Sequence, residues 1–171
     1  FSTGRTLRTY DESPEHQQLL QTEGDDAYRL EPIDFGRRLA VEREYRASAA
    51  AGGSPPSNAL YDATGKILII ASLFGIKMIA WESSRLVRIV GKAECAERFC
   101  GIALFQGRPR IDASLLGQGA TQGDEEDPTL ICCAHTKHRF YLFSNREPAN
   151  LDSSTQVGRD IFNEKPTRED I

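Results

Sequence analysis

The sequence lacks the features that mark a nucleic-acid-binding protein or a membrane protein. Its 171 residues carry 21 Lys and Arg against 25 Asp and Glu, which gives a formal net charge of −4. Proteins that grip nucleic acid need clustered positive charge to neutralise the phosphates. No apolar run approaches the roughly 20 residues that a membrane span requires. We therefore expect no direct nucleic-acid binding and no membrane partner.

The sequence also lacks a starting methionine and a recognisable N-terminal signal. It begins with Phe1, in the middle of a strand-like pattern, and it shows no charged, apolar and cleavage segments in succession. We expect a piece of a longer protein. By length, 171 residues suit one domain and can bury a core if the chain folds alone.

Cysteine is scarce, and its spacing does not predict a disulfide framework. The four cysteines are Cys95, Cys100, Cys132 and Cys133. Cys132 and Cys133 are neighbours in a predicted strand, where successive side chains point to opposite faces. Cysteines used in this way indicate a reducing compartment, the cytosol or the nucleus.

Residues 132–138, with the sequence CCAHTKH, contain three side chains that zinc could use. These are Cys133, His135 and His138. If a strand at 129–135 turns into a second strand at 138–143, the two histidines flank a tight hairpin. The spacing matches no closed structural zinc pattern, and cysteines in a buried strand act as small apolar residues. We therefore assign no metal ligand and no cofactor; an enzyme or metal-binding domain with a site around 95–138 stays the alternative.

Residues 117–123, GQGATQG, have the glycine content of a phosphate-binding loop but not its context. Such a loop follows a strand and leads into a helix whose N-terminus faces the phosphates. Here the acidic residues 124–127 follow, and their charge would repel phosphate. No serine lies in a nucleophile-elbow pattern, so no catalytic residue is assigned.

Residues 58–91 predict four consecutive strands. The stretch KILIIAS is continuously apolar, which is typical of a strand buried on both faces. GIKMIAW and RLVRIV are rich in β-branched and bulky residues, which favour strands over helices. NALYDATGK contains a short strand that an Asp-x-x-Gly turn closes. The segment therefore predicts a complete strand–turn–strand unit.

This strand–turn–strand unit is repeated along the chain. Residues 1–10 align with 81–90, so that Phe1 falls on Trp81, and a fainter copy lies at 139–148. A repeat of this kind indicates one supersecondary unit stacked several times. The predicted organisation is a closing strand of a preceding unit at 1–10, an insertion at 11–57, a complete unit at 58–91, a loop-extended unit at 92–148 and a C-terminal linker at 149–171.

Residues 34–48 predict one long helix inside the insertion. Asp34 is a plausible N-cap, and the Gly and Pro residues of 49–57 end the helix. Glu42 and Arg46 form a favourable i,i+4 pair. The apolar positions form two short pairs and no continuous stripe, so a surface helix and a partner-binding helix both remain open. For a partner contact the candidate residues are Phe35, Arg37 and Arg38.

The complete unit at 58–91 resembles a blade of the WD-repeat family. The residues that carry the resemblance are ALYDATGK, LIIAS, IKMIAWE and SSRLVRIVGK. Glu82 stands where the family usually has Asp, Phe74 replaces a polar turn residue, and no Gly-His precedes the unit. The resemblance implies a mainly β fold, a segment of a WD-repeat β-propeller with about two blades plus a closing strand, and one inserted helix.

Other stretches resemble one branch of that family, the cyclophilin-type peptidyl-prolyl isomerases with WD repeats. DFGRRLAVERE at 34–44, RFYLFSNREP at 139–148 and DIFNEKP at 160–166 resemble the end of its WD-repeat domain. The resemblance implies a nuclear location and spliceosomal protein partners, together with the remaining blades of the same propeller. It also implies that the isomerase domain follows Ile171.

The cyclophilin signature, Phe-His-Arg in a strand and a downstream Phe-Met-x-Gln, is absent from the sequence. The resemblance therefore predicts a non-catalytic scaffold rather than an enzyme for these residues. The alternative, an enzyme or metal site around 95–138, belongs to a different functional class. An isomerase assay and a zinc assay would discriminate between the two.

Overall fold

Two antiparallel sheets and two α-helices make up the part of the chain that the structure describes. A computed structural model describes residues 4–53, 58–107, 128–135 and 137–144. The helices come first along the chain, and the strands follow. Within these ranges no helix combines the length and the apolar character needed to cross a bilayer.

The first helix, α1, spans Pro14–Glu23 and lies where the sequence predicted only an insertion. Ser13 is its N-cap, and the Ser13 hydroxyl accepts a hydrogen bond from the amide of His16 at 3.3 Å. Proline at the first helical position suits the start because its missing N–H has no partner there in any helix. Gly24 ends the helix, and a single 3₁₀ turn at Asp26–Tyr28 follows.

The second helix, α2, spans Pro32–Ala50, two residues longer at each end than the predicted 34–48. Its N-cap is Glu31, so the assignment of Asp34 as the cap was wrong. Asp34 lies in the first helical turn, where its carboxylate accepts a hydrogen bond from Arg38 Nε at 2.9 Å. Because Pro32 fixes its own φ near a helical value, the helix starts there and not at the later polar residue.

The first sheet has four strands in sequence order, each antiparallel to its neighbour. They are β1 (Ala59–Tyr61), β2 (Ile67–Ser72), β3 (Gly75–Ala80) and β4 (Arg85–Val90). The four strands predicted within 58–91 are therefore confirmed. Asp62 closes the turn between β1 and β2, where its carboxylate accepts hydrogen bonds from the amides of Lys66 and Ile67 at 2.9 and 2.8 Å.

The turn between β2 and β3 needs glycine at its end. Gly75 has a φ of 127°, which side-chain-bearing residues rarely adopt. A Cβ atom there would lie 2.6 Å from the carbonyl oxygen of Val90 on β4. Gly75 therefore lets β3 pass close to the end of β4 while the turn points Leu73 and Phe74 into the protein.

The second sheet has three antiparallel strands in sequence order. They are β5 (Phe99–Phe105), β6 (Thr129–Ala134) and β7 (Phe140–Ser144). The predicted strand at 129–135 and its hairpin partner are confirmed. The alternation predicted for the paired cysteines is also confirmed, since Cys132 is buried and Cys133 is exposed.

The main core lies between the two sheets. Its buried members are Ile69, Ala71, Ile76, Phe99, Ile102, Leu130 and Cys132. The side-chain amide of Asn58 adds a polar link, because it donates to the carbonyl of Ile102 at 2.7 Å and accepts from its amide at 2.8 Å. The two sheets therefore share an apolar interface, and among the described residues the amide of Ala63 adds a further hydrogen bond to Gln106 Oε1 after β5.

A smaller core joins helix α2 to the β2–β3 turn. Its buried members are Phe35, Leu39, Leu73 and Phe74. The rings of Phe35 and Phe74 stack with centroids 6.1 Å apart, and Tyr28 meets Phe74 edge-on at 5.4 Å. Phe74 stands where the resembled blade has a polar turn residue, and here its ring packs against Phe35 of α2.

The predicted propeller segment is not what the described residues form. Residues 4–10 contain no strand and are mostly exposed, so the closing strand at 1–10 was wrong within this range. Among the described residues there are two α-helices where one was predicted, and the second sheet has three strands. The linker at 149–171 and the segments 117–123 and 124–127 lie outside the described residues.

Candidate functional site

A groove of about 580 Å³ opens between helix α2, the first two strands and the irregular N-terminal segment. It is lined by residues from four separate parts of the chain: Tyr10, Glu12, Glu42, Tyr45, Arg46, Ala49, Asn58, Ala59, Leu68, Ile70, Ala71 and Arg98. Concave surfaces that combine apolar lining with a few fixed polar groups are the usual sites of ligand binding. This groove is the best candidate site within the described residues.

One side of the groove is apolar. Leu68, Ile70 and Ala71 of β2 and Ala59 of β1 line it. Leu68 and Ala71 are buried, while Ile70 is partly accessible. Because these side chains are small or aliphatic, this side can seat an apolar ring without requiring a hydrogen-bond partner from it.

The groove is also lined by a buried ion pair. Glu42 and Arg98 are only 1% and 7% exposed, and Arg98 Nε donates to the Glu42 carboxylate. Arg98 Nη1 also donates to the carbonyl of Phe99, and the guanidinium lies 4.7 Å from the ring centre of Tyr45. Such a buried pair is stable only when each charge keeps its partners, so this wall of the groove is rigid.

Arg46 brings a more accessible positive charge to the same wall. Its Nε donates to Glu42 at 2.8 Å, which confirms the predicted i,i+4 pair, and its side chain is 42% exposed. Arg46 also donates to the backbone carbonyl of Glu12. Glu42 therefore holds two arginines, one buried and one at the surface.

A second charge cluster lies where the N-terminal segment crosses β3. Lys77 is 3% exposed, and its Nζ donates to both oxygens of the Glu12 carboxylate at 2.7 and 3.0 Å. Gln17 Nε2 donates to the same carboxylate at 2.6 Å. Glu12 is therefore the counter-charge of a buried lysine and also lines the groove.

The residues predicted for partner contact separate in the structure. Phe35 lies in the smaller core, and Arg38 is 5% exposed. Arg38 binds Asp34 and donates to the carbonyls of Phe74, Lys92 and Cys95 at 3.4, 2.8 and 3.0 Å. Arg37 is exposed. Contact between this corner and a partner stays a prediction, and it would have to run through Arg37.

The cysteines and histidines of 132–138 do not converge. Burial raises the pKa of the Cys132 thiol to about 12, and the nearby Cys133 and Cys95 thiols add to the increase. The His135 ring packs edge-on against Tyr45 with centroids 4.9 Å apart, while His138 is exposed. Across 4–53, 58–107, 128–135 and 137–144, no three metal-binding side chains come together.

Sequence reasoning missed most of the groove. Glu42 and Arg46 were recognised as an i,i+4 pair, but the burial of Glu42 was not predicted, and Arg98 was not singled out. The residues that meet here come from 10–12, 42–49, 58–71 and 98. The available signal was a pair of charged residues, Glu97 and Arg98, directly before the largely apolar strand β5. Charged residues are rarely buried without partners.

Comparison with known proteins relates the whole chain to isomerases, although no family model matches it. It is 42% identical over its entire length to peptidyl-prolyl cis-trans isomerase CYP71 of Arabidopsis thaliana, covering 27% of that protein. It is 37% identical to peptidylprolyl isomerase domain and WD repeat-containing protein 1 of Homo sapiens, again over its entire length and covering 26% of that protein.

A fungal relative extends the same similarity. Peptidyl-prolyl cis-trans isomerase 9 of Schizosaccharomyces pombe is 31% identical over 95% of the chain, which covers 28% of that protein. The chain therefore spans about a quarter of the length of the relatives it matches.

These relatives correct the predicted function. The chain was interpreted as a non-catalytic propeller scaffold and not as an enzyme, but proteins named as isomerases align with all or nearly all of it. The enzyme alternative accords better with this finding than the scaffold does. The chain is similar along its whole length to proteins named as peptidyl-prolyl cis-trans isomerases, one of which is also named for its WD repeats.

Proposed function

We propose that this chain takes part in peptidyl-prolyl cis-trans isomerisation and that the groove seats a proline-containing segment of the substrate. The observation that carries the proposal is the 42% identity to an isomerase over the entire chain. The chain covers only about a quarter of that relative, so the activity must be tested on this chain directly.

The reaction sets modest chemical requirements. Rotation about a peptide bond crosses a barrier of roughly 18–20 kcal/mol, and an X–Pro bond isomerises in tens to hundreds of seconds without a catalyst. No covalent bond is broken. A catalyst therefore acts by binding the twisted amide more tightly than the planar one, which calls for an apolar seat for the proline ring and fixed polar groups beside it.

The groove has both features. Leu68 and Ile70, which lie on the same face of β2, supply apolar lining on which a pyrrolidine ring can pack. Arg98, which also lines the groove, is held in place by Glu42 and Tyr45, and Arg46 is more accessible. Guanidinium N–H groups are donors, and donors that are already oriented bind a carbonyl of changed geometry without reorganisation. Arg46 is the proposed contact with the substrate backbone, and Arg98 is a positioning residue.

The first experiment measures isomerisation of a proline-containing test peptide by residues 1–171 and by the longer parent protein. We expect the 171-residue chain to accelerate the reaction above the uncatalysed rate, in proportion to its concentration. Acceleration by the parent together with none by this chain would contradict the proposal that these residues carry the activity.

The second experiment places the site. Ala49 lines the groove and Ala50, the next residue of α2, does not. Ala49→Trp should fill the groove and weaken binding of the test peptide about tenfold or more, whereas Ala50→Trp, on an exposed position, should leave it unchanged. If isothermal titration shows equal effects of the two variants on peptide binding, the peptide binds outside the groove.

The cellular role implied by the resemblance remains a proposal. The geometry of the groove does not test three expectations: spliceosomal protein partners, a nuclear location and the absence of direct nucleic-acid binding. Arg37 is the exposed member of the predicted partner-binding trio. It is therefore the residue to vary when complexes are recovered from nuclear extract.

A further inference from the structure

The N-terminal wall of the groove is an irregular segment, residues 8–12, which we call the strap. It contains no helix or strand, so its own backbone hydrogen bonds do not hold it in place. Arg8 Nη2 donates to the carbonyl of Glu82 at 2.6 Å, and the Tyr10 hydroxyl lies 3.5 Å from the carbonyl of Trp81. Both contacts are to the turn between β3 and β4.

Glu12 provides the strongest attachment of the strap. Its carboxylate binds Lys77 and Gln17, and its carbonyl accepts from Arg46. Hydrogen bonds between charged groups are stronger than neutral ones, and the contacts join the strap to β3, α1 and α2 together. The remaining strap contacts are single bonds at exposed or partly exposed positions.

Lys77 makes this attachment dependent on charge. The ammonium group lies 5.5 Å from the centre of the Tyr28 ring and 5.9 Å from that of Phe74, in a place where only 3% of the side chain is accessible. A buried cation is costly unless it is paired. Among the described residues, the Glu12 carboxylate is the anion that pairs with it.

Holding the strap against the protein also has a local free-energy cost. The Oε1 atom of Gln17 is buried and has no hydrogen-bond partner among the described residues. Turning the amide over would not help, because Oε1 would then face the Glu12 carboxylate in place of the donating Nε2. An unsatisfied buried acceptor costs about 1–3 kcal/mol, and movement of the strap would expose this atom to water.

We infer that the strap is a movable wall of the groove, latched by Glu12 on Lys77. Tyr10 and Glu12 line the groove, so release of the latch opens the groove on the α1 side and admits a peptide segment. The identity of that peptide rests on the proposed function. The movement of the strap does not, and it is tested without any ligand.

The test compares Glu12→Gln with Glu15→Gln, a matched change on an exposed residue of α1. Trypsin can cut after Arg8, and Trp81, the single tryptophan of the sequence, contacts the strap through its carbonyl, which lies 3.5 Å from the Tyr10 hydroxyl. Loss of a charged hydrogen bond at a partly buried site should raise the rate of cleavage at Arg8 at least about tenfold. It should also raise acrylamide quenching of Trp81, while Glu15→Gln changes neither.

A second variant separates release of the strap from unfolding. Glu12→Gln leaves Lys77 buried without its counter-charge, so this variant alone could unfold. The double variant Glu12→Gln/Lys77→Met removes both charges, which is often close to neutral for stability. It should keep the hydrogen-exchange protection of Ile69 and Ile76 and still be cut quickly at Arg8. Slow cleavage in this variant, with the core protected, would overturn the inference.

A final measurement connects the strap to the groove. If the strap gates entry, Glu12→Gln/Lys77→Met should bind the proline test peptide with an association rate several times that of the wild type. Fast cleavage at Arg8 with an unchanged association rate would refute the gating role while leaving the strap mobile. Absence of peptide binding in both proteins would count against the proposed function, and the cleavage result would still decide the strap.

Discussion

The two sheets of this protein are supported in different ways. The first sheet packs on the second through one face, and helix α2 and the strap attach to its turns and edges. The second sheet shares that core, but its opposite face carries exposed apolar side chains. These are Ile131, Phe140 and Leu142, with exposed fractions of 38%, 68% and 59%.

The burial pattern along the strands follows this difference in support. Strand β6 of the second sheet alternates buried and exposed positions, as a sheet with one covered face requires, whereas every position of β2 in the first sheet is buried or half-buried. Helix α2 packs on the β2–β3 turn of the first sheet, and it meets the second sheet only at the ends of its strands, through the Glu42–Arg98 ion pair and the Tyr45–His135 ring contact among the described residues. The apolar residues outside the second sheet form the kind of patch that isolated soluble domains seldom expose.

The largest effect should come from breaking the contact between the sheets. Phe99 is fully buried, and its ring meets Tyr141 and Phe143 edge-on at 5.5 and 6.2 Å. Phe99→Ala should lower the free energy of unfolding by about 4 kcal/mol, because a large cavity opens in the shared core. Urea unfolding followed by circular dichroism measures the change.

Phe105, in the same strand but 45% exposed, is the control for this substitution. Phe105→Ala removes the same ring and should reduce the free energy of unfolding by less than about 1 kcal/mol. If the two variants lose similar stability, the sheets do not depend on the shared core in the way described.

A smaller, pH-dependent effect should arise in the first sheet at Asp62. Hydrogen bonds from the Thr64 hydroxyl and then from the Ile67 amide lower the pKa of Asp62 below its ordinary value of 3.8. A lowered pKa in the folded state stabilises the protein above the unfolded pKa, and this contribution is lost as the pH falls through the folded value.

Asp62→Asn should therefore destabilise the protein at pH 7 and make little difference at pH values well below 3.8. Thermal unfolding of both proteins at several pH values tests this. A stability difference that stayed constant across the range would mean that the charge of Asp62 does not matter to the β1–β2 turn.

The smallest effect on stability should come from the exposed face of the second sheet. Leu142→Ser should change the free energy of unfolding by no more than about 0.5 kcal/mol, since the side chain is already in water. It should also reduce self-association, which sedimentation velocity measures. Leu130→Ser, the same change at a buried position of this sheet, should cost several times more; a costly Leu142→Ser would show that this face is covered.

Local patterns predicted the local structure well. The four strands of the first sheet follow from apolar runs separated by turn residues, and the opposite placement of Cys132 and Cys133 follows from the two-residue period of a strand. Helix α2 was located to within two residues at each end. These features depend on neighbouring residues, which the sequence displays directly.

Features that depend on distant contacts were missed. Helix α1 has a strong start at Ser13–Pro14, but it is docked by the contacts between Glu12, Gln17 and Lys77. Residues 4–10 look like a strand, yet they pair with no strand among the described residues and are mostly exposed. Arg38 has the appearance of a surface residue in the sequence, because nothing near it in the chain indicates three carbonyl partners.

Arg38 links three separate elements of the fold into one cooperative unit. A single guanidinium joins helix α2 to the carbonyls of Phe74, Lys92 and Cys95. Breaking these bonds would leave the 5% exposed Arg38 cation and three carbonyls, one in a buried and two in partly buried contacts, without these partners at once. The helix, the β2–β3 turn and the segment after β4 should therefore open as one foldon in native-state hydrogen exchange, although 36 to 57 residues separate the bonded groups along the chain.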